Sequence, residues 1–316
     1  MLYLNLFGRL SVARRDGANA SHSVDLAGRP GSLLAYLALA KGRYFTRSEL
    51  ITTLWPEQTE SISIGSFNTT LWRLRKALEK PPLDQTDIVV CDSRGALGLP
   101  TDAQLQLDVD EFALLVNPGL LKPIEQLDES DINNLRRGVG LYRDDILVGF
   151  TDDWALRERE LHRRRLLSAL ARLMHVSTLA RDYASAIRYA QDMLDRDTLR
   201  EDIHRELMQL FLLSGQRAMA LRQFELCRAA LRKELAIQPM RETLVVYQRI
   251  ADSAIGRETE SHRSATHDAL PTNAHHPMDV MALDAGTLSA REMVQRARYF
   301  LAQADAQLQL SLPLFD

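Results

Sequence analysis

SIGSFNTTLWRLRKAL, residues 63 to 78, reads as one helix with two faces of opposite character. Its apolar residues recur at spacings of three and four, which places them in a single stripe that must be buried: Ile64, Phe67, Leu71, Leu74 and Leu78. The other face carries hydroxyls, cations and an indole: Ser66, Thr69, Trp72, Arg73 and Lys76. Such side chains suit the phosphate oxygens and base edges of a DNA major groove, although an ordinary solvated helix face has a similar composition.

The segments around this helix predict a small domain of sheet and helices. Residues 32 to 40 are almost wholly apolar and predict a buried helix, and a capping box formed by Thr46 and Glu49 opens a second helix that Pro56 closes. Apolar alternation predicts strands at residues 2 to 7 and 24 to 26, followed by a hairpin of residues 88 to 91 and 96 to 99. This order of sheet, three helices and terminal hairpin indicates a winged helix-turn-helix over residues 1 to 107.

The second module, residues 108 to 255, shows helical periodicity throughout, with breaks at Gly215 and at Pro239. It also contains an internal repeat, in which Ala184 aligns with Ala218 and Arg188 with Arg222. The aligned residues are 34 positions apart, which is the period of tetratricopeptide repeats. The sequence therefore predicts an all-α, tetratricopeptide-like array. The fold class is therefore an α+β winged helix followed by an all-α array.

The end of the chain changes in composition. Residues 256 to 290 are rich in polar residues, His and Pro and indicate a flexible linker, whereas residues 291 to 316 predict an amphipathic helix. The four His of the linker have no spacing that would fix a metal geometry, so no metal and no cofactor are expected.

Charge and composition restrict the function. The chain has 316 residues and a formal net charge of −3, but residues 1 to 107 hold 12 Lys and Arg against 10 Asp and Glu. A domain with so small an excess of positive over negative side chains binds DNA only if its cations are concentrated on one surface. There is no run of eighteen apolar residues, and the two cysteines, Cys91 and Cys227, fall in different modules. We expect a cytoplasmic, nucleoid-associated protein without membrane contact.

Several stretches resemble a known family. LNLFGRLSV, LLAYLALAKGRYFTRSELITTLWPE and LWRLRKAL are similar to the OmpR-type winged helix of the actinobacterial antibiotic regulatory proteins, or SARP activators. LYRDDIL at 141 to 147, DDWALRERE at 152 to 160 and the segment 200 to 228 resemble the bacterial transcriptional activator domain of the same family. One departure is Asp144, which stands where the family usually has Gly.

The resemblance implies a DNA-binding transcriptional activator that occupies promoter repeats as a homodimer and recruits RNA polymerase. It also implies a polymerase-contacting loop between the second and third helices, comprising Trp55, Glu57, Gln58 and Glu60, although a solvated acidic loop would look the same. The expected DNA-binding residues are Ser66, Thr69, Thr70, Trp72, Arg73, Arg75, Lys76, Lys80 and the hairpin-tip Arg94. For Trp72, packing beneath the hairpin or at a domain contact is the competing interpretation.

No motif predicts catalysis. The sequence has no phosphate-binding GxxxxGK[ST] loop and no GxSxG, HExxH or CxxC motif. The alternative function is a scaffold or metabolite-sensing regulator in which the winged helix mainly mediates protein contacts.

Overall fold

The computed structural model describes residues 1–16, 19–20, 23–56, 60–85 and 88–264. Side chains are described for these residues except 15, 16, 19, 20, 60–63 and 253–264. The strands are β1 (Leu2–Asn5), β2 (Ser11–Asp16), β3 (Asn19–Ala20), β4 (Val24–Asp25), β5 (Tyr44–Phe45), β6 (Val90–Cys91), β7 (Leu97–Gly98) and β8 (Leu105–Leu107). The helices are α1 (Gly28–Leu39), α2 (Arg47–Leu54), α3 (Glu60–Glu79), α4 (Asp108–Leu121), α5 (Glu129–Leu141), α6 (Asp153–Leu179), α7 (Tyr183–Leu194), α8 (Glu201–Leu213), α9 (Arg217–Leu235) and α10 (Arg241–Ser264).

The N-terminal sheet is organised around β1. This strand pairs antiparallel with β2 and parallel with β8, which returns to the sheet from far along the chain, with Leu2 opposite Leu105 and Leu4 opposite Leu107. β4 and β3 pair with β2. The strands predicted at residues 2 to 7 and 24 to 26 are present in shorter form, whereas the sequence analysis does not predict β2 and β8.

The three helices and the hairpin complete the predicted winged helix. The capping box is confirmed, since the Thr46 hydroxyl accepts a hydrogen bond from the Glu49 N–H at 3.2 Å and the Glu49 carboxylate accepts one from the Thr46 N–H at 2.7 Å. The predicted hairpin is also confirmed as β6 and β7, and β5 adds a third antiparallel strand beside β7. We call this small sheet the wing.

The apolar stripe of α3 is buried from Phe67 to the end of the helix. Phe67, Leu71, Leu74 and Leu78 all lie in the core, but the prediction for Ile64 is wrong, because that side chain is 50% exposed. A Cβ placed on neighbouring Gly65 would meet no other atom within 4 Å, so the helix extends past the core at this end. Ile64 and Gly65 therefore lie at the edge of the core.

The helical module repeats with the predicted period. Helices α6 and α8 end one repeat length apart, at Leu179 and Leu213, and α7 and α9 begin at the same separation. The turns between them correspond as well: Arg181 and Gly215 both adopt a left-handed φ, of 58° and 77°. In each turn the next residue donates its N–H to a carbonyl of the preceding helix, as Asp182 does to Ser177 and Gln216 to Phe211. The internal repeat is thus a structural repeat.

The end of the array differs from the expected linker boundary. Helix α10 continues to Ser264, whereas the sequence predicts a linker from residue 256. The remainder of the predicted linker and the predicted helix at residues 291 to 316 lie outside the described residues. Among the helices of the described part, none combines the length and apolar character needed to cross a bilayer.

The winged helix and the array are joined without an intervening linker, and Met1–Glu260 form one compact unit. β8 ends at Leu107 and α4 begins at the next residue, Asp108. The Asp108 carboxylate is buried and accepts hydrogen bonds from the backbone N–H groups of Leu6 and Phe7, each at 2.9 Å. Burial raises the pKa of Asp108, and the two backbone donors oppose that rise.

A second connection comes from the chain between α5 and α6. Phe7 and Ile146 form an antiparallel bridge, and the N–H of Leu147 donates to the Leu6 carbonyl at 2.8 Å. The Arg159 guanidinium, on α6, then donates to the carbonyls of Ile146 and Leu147 at 3.2 and 2.8 Å. Two parts of the array therefore hold the segment after β1. The chain between α5 and α6 binds it through backbone hydrogen bonds, and Asp108 at the start of α4 binds it through its carboxylate.

Aromatic rings fill the space beneath this junction. Phe7 packs against Phe112, Tyr142 and His162, with ring centroids 5.4, 4.6 and 5.9 Å away. His162 is buried, its Nδ1 has no hydrogen-bond partner within the described chain, and its Nε2 lies 3.8 Å from the Glu158 carboxylate. Burial, with a smaller contribution from Arg165, lowers the pKa of His162 to about 4. The imidazole is therefore neutral at neutral pH.

We predict that Asp108→Ala destabilises the whole unit. The substitution leaves two buried N–H groups without an acceptor and should lower the free energy of unfolding by about 3 kcal/mol. Urea denaturation measures this, and Asp102→Ala, at an exposed position, serves as the matched control with little change. Equal stability of the two variants would contradict the proposed role of Asp108.

We also predict that stability falls in mild acid because of His162. The unfolded chain binds the proton with the ordinary pKa of 6.5 and the folded chain with one of about 4, so acid favours unfolding. The contribution of the neutral imidazole to the free energy of unfolding is complete above pH 6.5 and is lost as the pH falls towards 4. Between pH 7 and pH 5 this contribution should fall by about 2 kcal/mol. In His162→Phe, which keeps an aromatic ring but cannot titrate, the free energy of unfolding should vary less over the same interval. An unchanged pH dependence would show that His162 is not responsible.

Candidate nucleic-acid interface

One face of α3 is open to solvent and carries four of the nine residues predicted to meet DNA. Asn68, Thr69, Trp72, Arg73 and Lys76 are all exposed, and their spacing places them on one side of the helix. We call these five residues the open face. Trp72 is 61% exposed, so the interpretation that it packs beneath the hairpin or at a domain contact is wrong.

The three hydroxyl residues of α3 that are predicted to contact DNA differ in position. The Thr69 hydroxyl donates to the Gly65 carbonyl at 3.0 Å, and its oxygen remains able to accept a further hydrogen bond. Ser66 is half-buried at the edge of the open face. Thr70 is only 6% exposed, so the expectation that it lies close enough to read bases is wrong: the helical periodicity places it on the core side, between Phe67 and Leu74.

The cations of α3 also separate into two groups. Arg73 is exposed, and Lys76 forms an exposed ion pair with Glu79 at 2.8 Å. Such a surface pair contributes about 0–1 kcal/mol, so a phosphate can displace it at low cost. Lys80, just after the helix, is exposed as well.

Arg75 does not lie on the open face. Its side chain is half-buried, and its guanidinium donates to the backbone carbonyl of Val89 at 3.4 Å, directly before β6 of the wing. The side chain thus contacts the wing while it keeps part of its surface exposed, and the contact of Arg75 with DNA stays a prediction.

The turn of the wing presents Arg94 to solvent. The Asp92 carboxylate accepts hydrogen bonds from the N–H groups of Arg94 and Ala96, at 2.9 and 2.8 Å, and Gly95 takes the left-handed φ of 81° that the turn requires. The sequence Asp-Ser-Arg-Gly thus forms a tight turn, and the side chain of Arg94 in this turn is exposed.

The structure adds three candidates that the sequence analysis does not single out. Asn68 lies one residue before Thr69 and four before Trp72, which is a spacing that could have placed it on the same face. An Asn side chain can bond both N6 and N7 of adenine. Arg47 is exposed at the start of α2, the helix that crosses the DNA backbone in helix-turn-helix proteins, and Arg43 is exposed just before β5.

The loop predicted to contact polymerase is described only in part. Trp55 is buried, packs edge-on against Phe67 at 6.1 Å and has the Arg29 guanidinium 5.7 Å from its ring centre. It anchors the loop and is not a surface contact, which corrects its predicted role. Glu57, Gln58 and the side chain of Glu60 lie outside the described residues.

Within the described residues no group of three His, Cys, Asp or Glu side chains could hold a metal ion. Cys91 and Cys227 are both free thiols, and burial raises the pKa of Cys227 to about 11. The Cys227 thiol therefore does not resemble an activated nucleophile.

Comparison with known proteins identifies both modules. Residues 21–95 match the transcriptional regulatory protein, C terminal family, and residues 107–251 match the bacterial transcriptional activator domain. The regulatory protein AfsR of Streptomyces coelicolor is 27% identical over 267 residues, and AfsR of Streptomyces griseus is 24% identical over 233 residues. These alignments cover 83% and 72% of this chain but only 26% and 23% of the relatives, so the chain spans about a quarter of their length.

A solved structure shares the fold. EmbR of Mycobacterium tuberculosis, determined in complex with a low affinity phosphopeptide, superimposes with a TM-score of 0.60 at 19% sequence identity. The match covers 80% of this chain and 65% of EmbR. At this identity the comparison concerns the fold: a small N-terminal sheet region followed by a helical array.

Proposed function

Because this chain has the domain architecture of SARP transcriptional regulators, an OmpR-type winged helix followed by a bacterial transcriptional activator domain, we propose that it activates transcription from promoters it binds. The observation that carries the proposal is the solvent-exposed open face of α3. A helix-turn-helix protein inserts this helix into the major groove. An open face that combines cations with amide, hydroxyl and indole groups is suited to that position.

Within this proposal Arg73 and Lys76 bind phosphates or base edges in the groove, and Lys80 and Arg94 bind the backbone on either side. Asn68, Thr69 and Ser66 are the residues that read bases, since their amide and hydroxyl groups match base-edge donors and acceptors. Trp72 contributes apolar contact at the groove. Arg75 contacts the wing, and its contact with DNA stays a prediction.

Activation requires a second set of contacts. We propose that the chain binds direct repeats as a homodimer and that the α2–α3 loop, with Glu57, Gln58 and Glu60, contacts RNA polymerase. The family resemblance supports this proposal, as does the burial of Trp55, which fixes the end of α2 just before the loop. The protein would act in the cytoplasm, on the nucleoid.

We predict that Arg73→Ala combined with Lys76→Ala greatly weakens DNA binding without unfolding the protein. Each lost phosphate contact should reduce the slope of log K against log salt by about 0.9, so the double variant should lose nearly 2. The measurement is a gel-shift or anisotropy titration on the promoter of the neighbouring operon at several salt concentrations. Arg164→Ala, at an exposed arginine of α6 that pairs with Glu160, is the matched control and should keep the wild-type slope.

Absence of salt-sensitive retardation in the wild-type chain would favour the alternative, a scaffold whose winged helix contacts protein. Retention of the wild-type salt slope in the double variant would instead show that DNA lies on another surface.

A separate prediction concerns sequence reading by Asn68. Asn68→Ala should lower affinity for the best site by about 1–3 kcal/mol while leaving binding to unrelated DNA almost unchanged, because a base contact carries specificity and a phosphate contact does not. Competition between specific and random duplexes measures the ratio. A parallel loss on both duplexes would assign Asn68 to backbone contact.

A further inference from the structure

A cavity of about 480 Å³ lies between helices α7, α8 and α9 of the array. Its apolar walls come from one leucine of each helix, Leu194, Leu207 and Leu226. Its polar lining residues are Gln191, Asp195, Thr198, His204 and Gln223. The volume is within the range of small-molecule sites, and apolar walls with a few polar groups are typical of such sites. We call this space the array cavity.

Two of the polar lining residues are buried and bind each other. His204 and Gln223 are 5% and 7% exposed, and the side-chain amide nitrogen of Gln223 lies 2.7 Å from His204 Nδ1. The other ring nitrogen, Nε2, lies 3.1 Å from the Thr198 carbonyl, which can only accept, so Nε2 carries a hydrogen. Burial lowers the pKa of His204, so the ring is neutral at neutral pH and Nδ1 is an acceptor.

This pairing fixes the orientation of the Gln223 amide. Its NH₂ group donates to His204 Nδ1, so its carbonyl oxygen, Oε1, faces away from the ring and has no donor within the described chain. The unpaired side-chain atoms that are sealed from solvent in that part of the chain are Trp154 Nε1 and His162 Nδ1, and Gln223 Oε1 is not one of them. A nearly buried side chain therefore presents an unused, accessible acceptor to the array cavity.

The charge of the lining favours a cation. Asp195 is exposed and is the one carboxylate of the lining, which contains no Lys or Arg. It is also the C-cap of α7, so it lies at the negative end of that helix. The next residue, Arg196, donates to the Asp192 carbonyl at 2.8 Å and is not part of the lining. A positive group in the array cavity would thus meet a carboxylate and a helix C-terminus.

We propose that the array cavity binds a small molecule that carries an ammonium group on an apolar body. The ammonium group donates a hydrogen bond to Gln223 Oε1 and is attracted by Asp195, and the apolar body packs against the three leucines. Because three successive helices line the cavity, its occupant stabilises their packing. The proposal does not depend on DNA binding, so each can fail without the other.

The test uses the full chain and three phenyl compounds of similar size. They are 2-phenylethylammonium, 2-phenylethanol and 3-phenylpropanoate, whose head groups are positive, neutral and negative. Each compound is titrated at neutral pH and constant ionic strength, and saturation-transfer difference NMR gives the dissociation constant. 2-Phenylethylammonium should bind saturably, with a dissociation constant about tenfold below that of 2-phenylethanol, because its hydrogen bond is charge-assisted. It should also be the compound that raises the Tm of the chain.

Variants decide whether binding occurs in the array cavity. Asp195→Asn removes the charge at an exposed position and should raise the dissociation constant of 2-phenylethylammonium about threefold. Asp252→Asn, at an exposed carboxylate of α10 outside the lining, is the matched control and should leave it unchanged. Gln223→Met removes the acceptor and should raise the constant about tenfold. Its control is Gln209→Met, at an exposed glutamine of α8.

Gln223→Met also takes the donor from His204 Nδ1, so its thermal melting is recorded first. If this variant does not melt cooperatively, the comparison of Asp195→Asn with Asp252→Asn decides. The proposal is overturned if 2-phenylethylammonium does not saturate or if 2-phenylethanol binds as tightly. It is also overturned if Asp195→Asn, or a folded Gln223→Met, binds 2-phenylethylammonium as its control does.

Discussion

The position of the winged helix relative to the array depends on how the chain just after β1 is held. The N–H groups of Leu6 and Phe7 are buried where the strand ends, and a buried N–H without an acceptor is destabilising. Asp108 supplies that acceptor from the first residue of the array, and the connection before α6 satisfies the carbonyls on the other side. Because these bonds join residues far apart in the chain, the winged helix and the array cannot separate without breaking them. The open face of α3 therefore has a fixed orientation relative to the array.

The sequence predicts those parts of the fold that have a periodic signature. The three-and-four spacing of α3, the capping box at Thr46 and the internal repeat of the array each follow from the geometry of helices, and each is present. β8 could not be predicted in the same way, because its residues become a strand only by pairing with β1. The open face is only partly predictable: helix angle alone excludes Thr70 and includes Asn68, whereas the contact between Arg75 and Val89 depends on how the wing packs.

The family motif LYRDDIL shows what a resemblance leaves unexplained. It helps to identify the second module, yet its letters do not indicate that Asp145, Ile146 and Leu147 bind the backbone of the winged helix. The structure also accounts for Asp144, which stands where a glycine is usual. The left-handed backbone positions of this segment are Leu147 and Gly149, so residue 144 does not need the freedom of glycine.

The small positive charge of the N-terminal module suggests how it would use DNA. The cations proposed for phosphate contact, Arg73, Lys76, Lys80 and Arg94, lie on α3, directly after it and at the tip of the wing, so their fields add locally although residues 1 to 107 carry an excess of only two positive charges. Four such contacts would make affinity fall about a hundredfold between roughly 50 and 200 mM salt. A single copy would then bind weakly at physiological salt, and two copies on adjacent repeats would gain from each other's proximity. Low net charge is thus compatible with promoter selection, because it limits nonspecific binding and leaves the choice of site to base contacts and to pairing.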